Sequence, residues 1–328
     1  MSRAAVTVES KETFLHRGVR RVPSALLLAL ASLAVASSSQ AASPDGAVQA
    51  APASFYSDQP QEPGVALVTG STSGLGREVA LRLGSEGFHV IVHGRNLERG
   101  MEVVEAIRGS GGSASFYPAD LASLNQVREL VNTVVENYSR LDLLVNNAGV
   151  WLEAEDGRVL SEDGYELHFQ VNYLSHYLLT DLLLPRLLES APARVVNVAS
   201  AAQRPIDFDD VMLEEGYTDG GGYAQSKLAQ IMHAFDLAEE LDGTGVVVNA
   251  LHPATFMDTE MVLSRGAEPR SSVEEGAEAV MQLLLDEEVG SGGYYNGVDP
   301  AEAHEQANDP EARTRLREIS DALVATGA

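Results

Sequence analysis

A tyrosine and a lysine four residues apart form the most chemically informative pair in this chain. Tyr223 and Lys227 bracket the segment Tyr-Ala-Gln-Ser-Lys, and Lys227 is one of only two lysines among 22 basic residues. On a helix this spacing places both side chains on one face, a single turn apart. A neighbouring ammonium favours the ionised phenol and lowers its pKa, as a general acid/base tyrosine requires. The pair alone also fits a surface contact without function, so the upstream residues must decide.

A glycine-rich turn upstream indicates where phosphate groups would bind. The apolar run 65–68 leads into Thr-Gly-Ser-Thr-Ser-Gly-Leu-Gly, residues 69–76, and a helical pattern follows. Glycines allow the tight turn and let backbone N–H groups approach a pyrophosphate at the helix N-terminus. The residues expected to contact a dinucleotide here are Gly70, Ser71, Ser73, Gly74, Leu75 and Gly76.

Short β-branched runs alternate with longer amphipathic stretches from residue 65 onward. The pattern predicts strands at 65–69, 88–92, 114–117, 141–146, 194–199, 246–251 and 293–296. It predicts helices near 76–86, 96–108, 123–138, 162–190, 223–242, 273–287 and 309–325. Strands separated by helices form parallel sheets covered on both faces. We therefore predict an α/β fold: a single-domain, Rossmann-like, doubly wound parallel sheet of about seven strands with helices on both faces.

Together these motifs resemble those of the short-chain dehydrogenases/reductases. The spacing Gly-x-x-x-Gly-x-Gly, the segment Asn146-Asn147-Ala148-Gly149 and the pair Tyr223 and Lys227 carry the resemblance, which covers roughly residues 63–325. It implies a catalytic tetrad of Asn172, Ser200, Tyr223 and Lys227. In that tetrad Tyr223 exchanges a proton with the substrate oxygen and Ser200 stabilises the developing oxyanion. Lys227 holds the nicotinamide ribose, and Asn172 holds a water that links Lys227 to solvent.

The same resemblance implies cofactor contacts at the ends of three other strands. The implied contacts are Asp120 and Leu121 after the third strand, Asn147, Ala148 and Gly149 after the fourth, and Pro253 and Thr255 after the sixth. This last segment departs from the family pattern, because Pro253 is followed by Ala254 instead of glycine. The threonine expected shortly afterwards is either Thr255 or Thr259.

The residue after the second strand predicts which dinucleotide is bound. A carboxylate at this place pairs with the ribose hydroxyls of NAD, whereas this chain has Arg95 and no carboxylate. A guanidinium suits a 2′-phosphate. Arg77, just after the glycine-rich turn, is a second candidate. We therefore predict NADP(H) in preference to NAD(H).

The resemblance implies an oxidoreductase that moves hydride between the nicotinamide and a small-molecule carbonyl or alcohol. The 22 residues between Ser200 and Tyr223, together with the C-terminal tail, resemble the retinol-dehydrogenase-like branch, which implies a lipophilic substrate. One competing hypothesis is a catalytically silent dinucleotide-binding scaffold or redox-sensing module, which we would expect to lack a tetrad residue. A second is a sugar-nucleotide epimerase or dehydratase, whose substrate domain would be longer than the tail of this chain.

Several other residues have both a functional and a structural interpretation. Trp151, just after Asn-Asn-Ala-Gly, lines the substrate mouth in one interpretation and is core packing in the other. His168, His176 and His233 lie on predicted helices without metal-ligand spacing, and we assign them to packing or surface positions.

Composition restricts the partners. A net charge of −26 argues against nucleic-acid binding, which requires a basic face, and it would repel anionic membrane surfaces. The absence of cysteine excludes disulfides, thiolate nucleophiles and cysteine-ligated metal sites. We predict no metal site, and a homo-oligomer remains open.

The first 62 residues differ in composition from the rest. Arginines at 17, 20 and 21 precede the apolar run 25–36 and the small residues up to Ala41, in the order of an export signal. We predict a leader or targeting segment at 1–42, a disordered linker at 43–62 and a soluble catalytic domain at 63–328. A signal peptide, an organelle transit peptide and a short anchor all fit the leader. Membrane contact is therefore expected only through this segment, if it is retained.

Overall fold

The carboxyl ends of seven parallel strands meet along one edge of a single sheet. In this computed structural model, which describes residues 63–152 and 157–326, the strand order is β3-β2-β1-β4-β5-β6-β7-β8. The strands are β1 Val65–Val68, β2 His89–Gly94, β3 Ser113–Pro118, β4 Leu143–Asn146, β5 Ala193–Val198, β6 Val246–His252, β7 Tyr294–Asn296 and β8 Asp299–Pro300. Within the described residues, neighbouring strands of this sheet are parallel except for β7 and β8, which pair antiparallel.

Helices cover both faces of the sheet. They are α1 Gly74–Ser85, α2 Leu97–Gly109, α3 Leu124–Asn137, α4 Ser175–Glu189, α5 Asp219–Glu240, α6 Glu260–Leu263, α7 Val273–Leu285 and α8 Pro310–Thr326. A π-helical segment, Phe169–Leu174, leads into α4, and a 3₁₀ turn, Glu305–Asn308, precedes α8. The predicted Rossmann-like α/β fold is confirmed, with eight strands where about seven were predicted. The extra strand β8 has only two residues, too few for an alternating pattern to predict it.

The alternation of side chains along each strand divides the core into two clusters. Leu67 of β1 belongs to the cluster on one face, whereas Ala66 and Val68 belong to the cluster on the other. The first cluster takes apolar residues from α3, α4, α5 and α8, such as Leu130, Leu179, Leu228 and Leu316. The second takes residues from α1, α2 and α7, such as Val79, Val103 and Val280. Burying both faces leaves the strand ends as the place for a site.

The long fourth helix begins later than its sequence pattern predicted. The pattern extends the helix back to residue 162, but Leu160 and Glu166 instead form an antiparallel bridge. The Glu166 carboxylate then accepts hydrogen bonds from the backbone N–H groups of His168 (3.1 Å) and Phe169 (2.7 Å). These bonds satisfy donors that a helix N-terminus leaves free. The local capping by this buried carboxylate therefore marks the start of the helix.

The predicted leader at 1–42 and linker at 43–62 lie outside the described residues, and both stay predictions. The described part of the catalytic domain is one compact unit. None of its helices is long and apolar enough to cross a membrane.

Candidate active site

The glycine-rich turn between β1 and α1 forms one wall of a deep cleft. Gly70 and Gly74 have φ values of +65° and +51°, a backbone region in which a side chain is strained. A Cβ atom on Gly76 would lie 2.4 Å from the Asn147 amide nitrogen and 2.5 Å from the Gly70 carbonyl oxygen. Only glycine therefore fits at 76, where α1 approaches the end of β4.

Asn147 binds the glycine-rich turn to the neighbouring strand. Its side-chain amide donates to the Thr69 carbonyl oxygen at 2.8 Å, and its backbone N–H donates to the Thr69 hydroxyl at 2.9 Å. The adjacent Ala148 N–H donates to the same hydroxyl at 3.0 Å. The Asn-Asn-Ala-Gly segment thus fixes the turn and forms the cleft wall beside it.

The cleft suits an extended dinucleotide. Its volume is about 650 Å³, and it runs from Arg95 and Asp120 at one end to Ser200 and Tyr223 at the other. The N-terminus of α1 opens into it with no acidic residue in the first turn and no side-chain hydrogen bond from Ser73 to the helix end. Unpaired N–H groups and the helix dipole favour an anionic group there.

Most of the predicted cofactor contacts line this cleft. They are Gly70, Ser73, Gly74, Leu75, Gly76, Arg95, Asp120, Leu121, Asn147, Ala148, Gly149, Tyr223, Lys227, Pro253 and Thr255. Ser71 is not among the lining residues. Its buried hydroxyl donates to the Val68 carbonyl oxygen at 2.7 Å and accepts from the His93 N–H at 3.0 Å, so it joins β1 to β2. Both candidate threonines, Thr255 and Thr259, line the cleft.

Tyr223 and Ser200 meet at the far end of the cleft. Burial raises the pKa of the Tyr223 phenol, and a hydrogen bond with the Ser200 side chain lowers it by less. The spacing predicted that Lys227 lowers this pKa, whereas in the structure the loss of hydration outweighs every lowering influence. The Ser200 hydroxyl also accepts the N–H of Ala202 at 3.1 Å, which fixes its direction at the end of β5.

Lys227 lies one helical turn below Tyr223, as predicted from the spacing. Its Nζ is 5.6 Å from the centre of the Tyr223 ring and donates to the Val198 carbonyl oxygen and to Gln230 Oε1, both at 2.8 Å. Burial lowers the pKa of Lys227 to about 7. Burial thus opposes the positive charge of this lysine.

Asn172 lies in the π-helical segment behind the cleft and is fully buried. Its side chain accepts from the Val150 N–H at 2.7 Å and donates to the Val150 carbonyl oxygen at 3.1 Å. It also donates to the Ser226 hydroxyl at 2.9 Å. These contacts tie the loop after β4 to α5, the helix that carries Tyr223 and Lys227.

A buried histidine, assigned from the sequence to a packing or surface position, supports Asn172. His176 Nδ1 donates to the Asn172 carbonyl oxygen at 2.9 Å, so its Nε2 accepts from the Thr69 hydroxyl, also at 2.9 Å. Burial lowers the pKa of His176 to about 3, which keeps the ring neutral and this tautomer in place. The only sequence signal was its position four residues after Asn172.

A second basic residue lies beside Arg95. Arg99, on the first turn of α2, lines a shallow depression with Thr72, Ser73, Arg95, Asn96 and Glu260. Arg99 pairs with Glu260 at 2.9 Å, and the Arg95 guanidinium is 70% exposed and 3.8 Å from Asp120. Arg77, the second candidate from sequence, is exposed and lines neither the depression nor the cleft.

Aromatic residues from two loops cover Tyr223. Trp151 stacks on the Tyr223 ring at 5.3 Å, and Phe256 lies beyond it at 6.4 Å. Neither position belongs to a motif, so the sequence argument left Trp151 undecided and did not consider Phe256. Among the described residues, no group of three or more histidine or carboxylate side chains could hold a metal ion.

Comparisons with known proteins agree with this geometry. The model of the short chain dehydrogenase family matches residues 64–270. Human retinol dehydrogenase 13 is 35% identical over 280 residues, covering 79% of this chain and 83% of that protein. Mouse polyprenol dehydrogenase is 40% identical over 294 residues, covering 82% and 86%. The structure of an actinorhodin polyketide ketoreductase with NADPH is similar at a TM-score of 0.60 and 29% identity, covering 72% of this chain and 96% of that one.

Proposed function

The chain belongs to the short-chain dehydrogenase/reductase family, in its retinol-dehydrogenase-like branch, and on that premise we propose that it is an NADP(H)-dependent alcohol dehydrogenase or carbonyl reductase. The observation that carries the proposal is the meeting of Tyr223, Ser200 and Lys227 at one end of a cleft whose other end holds Arg95, with Arg99 in the adjoining depression.

Tyr223 is the proton donor in the reductive direction. Its hydroxyl shares a hydrogen bond with Ser200, so both groups can reach one substrate oxygen. The raised pKa of the phenol keeps it protonated at neutral pH, as an acid must be before it reacts. Ser200 remains hydrogen-bonded to the oxygen as negative charge develops on it. A bound nicotinamide would supply or accept the hydride.

Lys227, one helical turn after Tyr223 on α5, supports this proton transfer. Its pKa of about 7 lets it gain or lose a proton at the pH at which the enzyme works. A positive charge placed one turn below the phenol stabilises the phenolate that forms when the proton leaves. Asn172 holds Ser226 and the loop at Val150, so the helix that carries both residues stays in register with the cleft.

The arginines support the choice of NADP(H). Arg95 and Arg99 lie on either side of Asn96, next to Thr72 and Ser73 of the glycine-rich turn. Guanidinium groups bind phosphate with strong, charge-assisted hydrogen bonds. A structural neighbour at 29% identity contains NADPH.

The substrate end of the cleft supports a lipophilic substrate. Its wall combines Val150, Trp151, Leu167, Phe256 and Met261. An apolar wall with a few polar groups at the reacting atom is typical of sites that bind apolar ligands. Two relatives carry the names retinol dehydrogenase and polyprenol dehydrogenase, which are enzymes of lipophilic alcohols.

Cofactor oxidation tests the proposal directly. The full chain is mixed with NADPH or NADH and a panel of aliphatic aldehydes, ketones and quinones, and loss of the reduced cofactor is followed by absorbance. We expect NADPH oxidation with at least one lipophilic carbonyl compound and slower oxidation of NADH. NADPH binding without oxidation by any acceptor would support the scaffold or redox-sensing hypothesis instead.

A further inference from the structure

Trp151 occupies a position that the proton-transfer machinery does not explain. It is the single tryptophan of the chain and lies two residues after Gly149. Its indole stacks on the ring of Tyr223 with a centroid distance of 5.3 Å and an angle of 29°. The indole nitrogen is buried without a hydrogen-bond partner in the described structure.

Neighbouring side chains hold the backbone on both sides of Trp151. Asn172 binds the N–H and the carbonyl of Val150, at 2.7 and 3.1 Å. His168 Nε2 accepts the Leu152 N–H at 3.1 Å, and its Nδ1 is fixed by the Glu166 carboxylate at 2.8 Å. Both His168 and Glu166 are fully buried. These hydrogen bonds restrict the backbone on both sides of Trp151.

Arg265 fixes the indole from the opposite loop. Its guanidinium lies 4.0 Å from the centre of the Trp151 ring and donates to the carbonyl oxygens of Trp151 and Leu152. The same group pairs with Asp219, at the start of α5, at 3.1 Å. A cation over an indole face adds attraction that a smaller side chain would lose.

Phe256 closes the stack on its outer side. Its ring is nearly parallel to the indole, at 12° and 6.4 Å. Its φ of +49° is in the left-handed region, which costs free energy for a residue other than glycine. Surrounding contacts must compensate that cost, so the aromatic stack of Tyr223, Trp151 and Phe256 is a specified arrangement.

We propose that Trp151 determines which substrates reach Tyr223, by covering one side of the catalytic ring and excluding bulky groups on that side of the reacting carbon. The proposal rests on the proposed oxidoreductase function. The substrate class it selects is slender: aldehydes and primary alcohols on an unbranched chain, in preference to ketones with bulky groups on both sides. Steric exclusion of this kind discriminates strongly because a packed, fixed wall does not yield.

Steady-state kinetics with two carbonyl compounds test the inference. Octanal is the slender substrate and dicyclohexyl ketone the bulky one, each with NADPH and the full chain. Truncating Trp151 opens the covered side, so Trp151→Ala should raise the ratio of kcat/KM for the ketone to that for octanal by at least about tenfold, the scale of discrimination by a pocket wall. Trp151→Phe, which keeps an aromatic ring, should give an intermediate ratio. An unchanged ratio in both variants would overturn the proposal.

Two further measurements separate the possible failures. If the wild-type chain turns over no carbonyl compound, the proposed function fails, and the inference is then decided by calorimetric titration of dicyclohexyl ketone in the presence of NADP⁺. Tighter binding to Trp151→Ala than to the wild type supports the steric role, and equal or weaker binding overturns it. If Trp151→Ala does not fold, as a thermal melt would show, Trp151→Phe alone carries both comparisons.

Discussion

At the scale of single residues, burial changes what each catalytic group can do. The sequence pairs a phenol with an ammonium, but removal from water raises the pKa of Tyr223 and lowers that of Lys227 to about 7. Both shifts favour the uncharged form of the group, as desolvation always does. In the proposed mechanism a protonated Tyr223 is the form that donates the proton.

Removal of the Tyr223 hydroxyl should separate chemistry from cofactor binding. We expect Tyr223→Phe to lower kcat by about a hundredfold to ten-thousandfold, the range for loss of a general acid. The dissociation constant for NADPH should stay nearly constant, because the cofactor contacts the glycine-rich turn. Tyr117→Phe is the control. It removes a hydroxyl on β3 that hydrogen-bonds the Tyr138 hydroxyl. A Tyr223→Phe enzyme that retains most of its turnover would refute the assignment.

Charge removal at the depression beside Arg95 tests the cofactor preference. Arg95→Ala and Arg99→Ala should each weaken NADPH binding by about tenfold to a hundredfold, since a hydrogen bond to a charged group contributes roughly 1.5–3 kcal/mol. NADH lacks the phosphate, so its KM should hardly change. Arg77→Ala is the matched control, because this exposed arginine lines neither part of the site. Equal increases in KM for both cofactors would mean that the arginines are structural.

At the scale of elements, the π-helical segment places Asn172 between the loop after β4 and α5. Within Phe169–Leu174 the Asn172 carbonyl oxygen accepts a hydrogen bond from the His176 side chain, and the Asn172 side chain reaches Val150 and Ser226. Single π-helical turns occur often at functional sites because they redirect one residue out of the regular helical pattern. One buried asparagine thereby connects the loop after β4, the π-helical segment and α5.

The C-terminal helix α8 is a second element with a specific role in packing. Leu316 is buried in the core cluster that includes α5, and Ser320 hydrogen-bonds the buried Tyr173 hydroxyl at 2.7 Å. Arg313 and Arg317 pair with Glu239 and Asp236 of α5. Helix α8 therefore covers the same face of the sheet as α5.

Truncation of Leu316 should lower the stability of the whole domain. The side chain is 2% exposed, so Leu316→Ala should reduce the free energy of unfolding by about 2–5 kcal/mol. Leu160→Ala is the control, since that leucine is 48% exposed and its loss should change stability by less than about 0.5 kcal/mol. Urea unfolding followed by circular dichroism measures both. Equal effects of the two substitutions would show that α8 does not stabilise the fold.

At the scale of the whole molecule, three buried histidines make the fold sensitive to acid. Burial lowers the pKa of His93 and His233 to about 4 and that of His176 to about 3. Above pH 6.5 the rings are neutral in both the folded and the unfolded chain. As the pH falls from 6.5 toward 4, the unfolded chain gains protons that the folded chain does not bind. The contribution of these sites to the free energy of unfolding is therefore most favourable above pH 6.5 and decreases on acidification.

This sensitivity can be assigned to one histidine at a time. Each site should reduce the free energy of unfolding by about 1.4 kcal/mol per pH unit within its window. His233 lies among the rings of Tyr173 and Tyr177, so His233→Phe conserves the aromatic packing and removes one titrating group. Urea titrations over this pH range should give a shallower decrease for the variant than for the wild type. Identical slopes would show that the pKa of His233 is the same in the folded and the unfolded chain.

Residue patterns along the chain were enough to predict the fold class and the candidates for the tetrad. Short apolar runs predicted seven of the eight strands, because strands buried on both faces must be apolar. The glycine-rich turn could be recognised from the sequence because backbone at φ +65° and +51° excludes most side chains. Spacing along one helix was enough to place Tyr223 above Lys227.

The behaviour of those residues depends on burial and long-range contacts, which local spacing does not specify. Trp151 became significant through partners far from it in sequence, Tyr223, Phe256 and Arg265. The balance of pKa values depended on the loss of water around Tyr223 and Lys227. Periodicity shows which face of an element is buried, but the neighbours across that face follow only from packing.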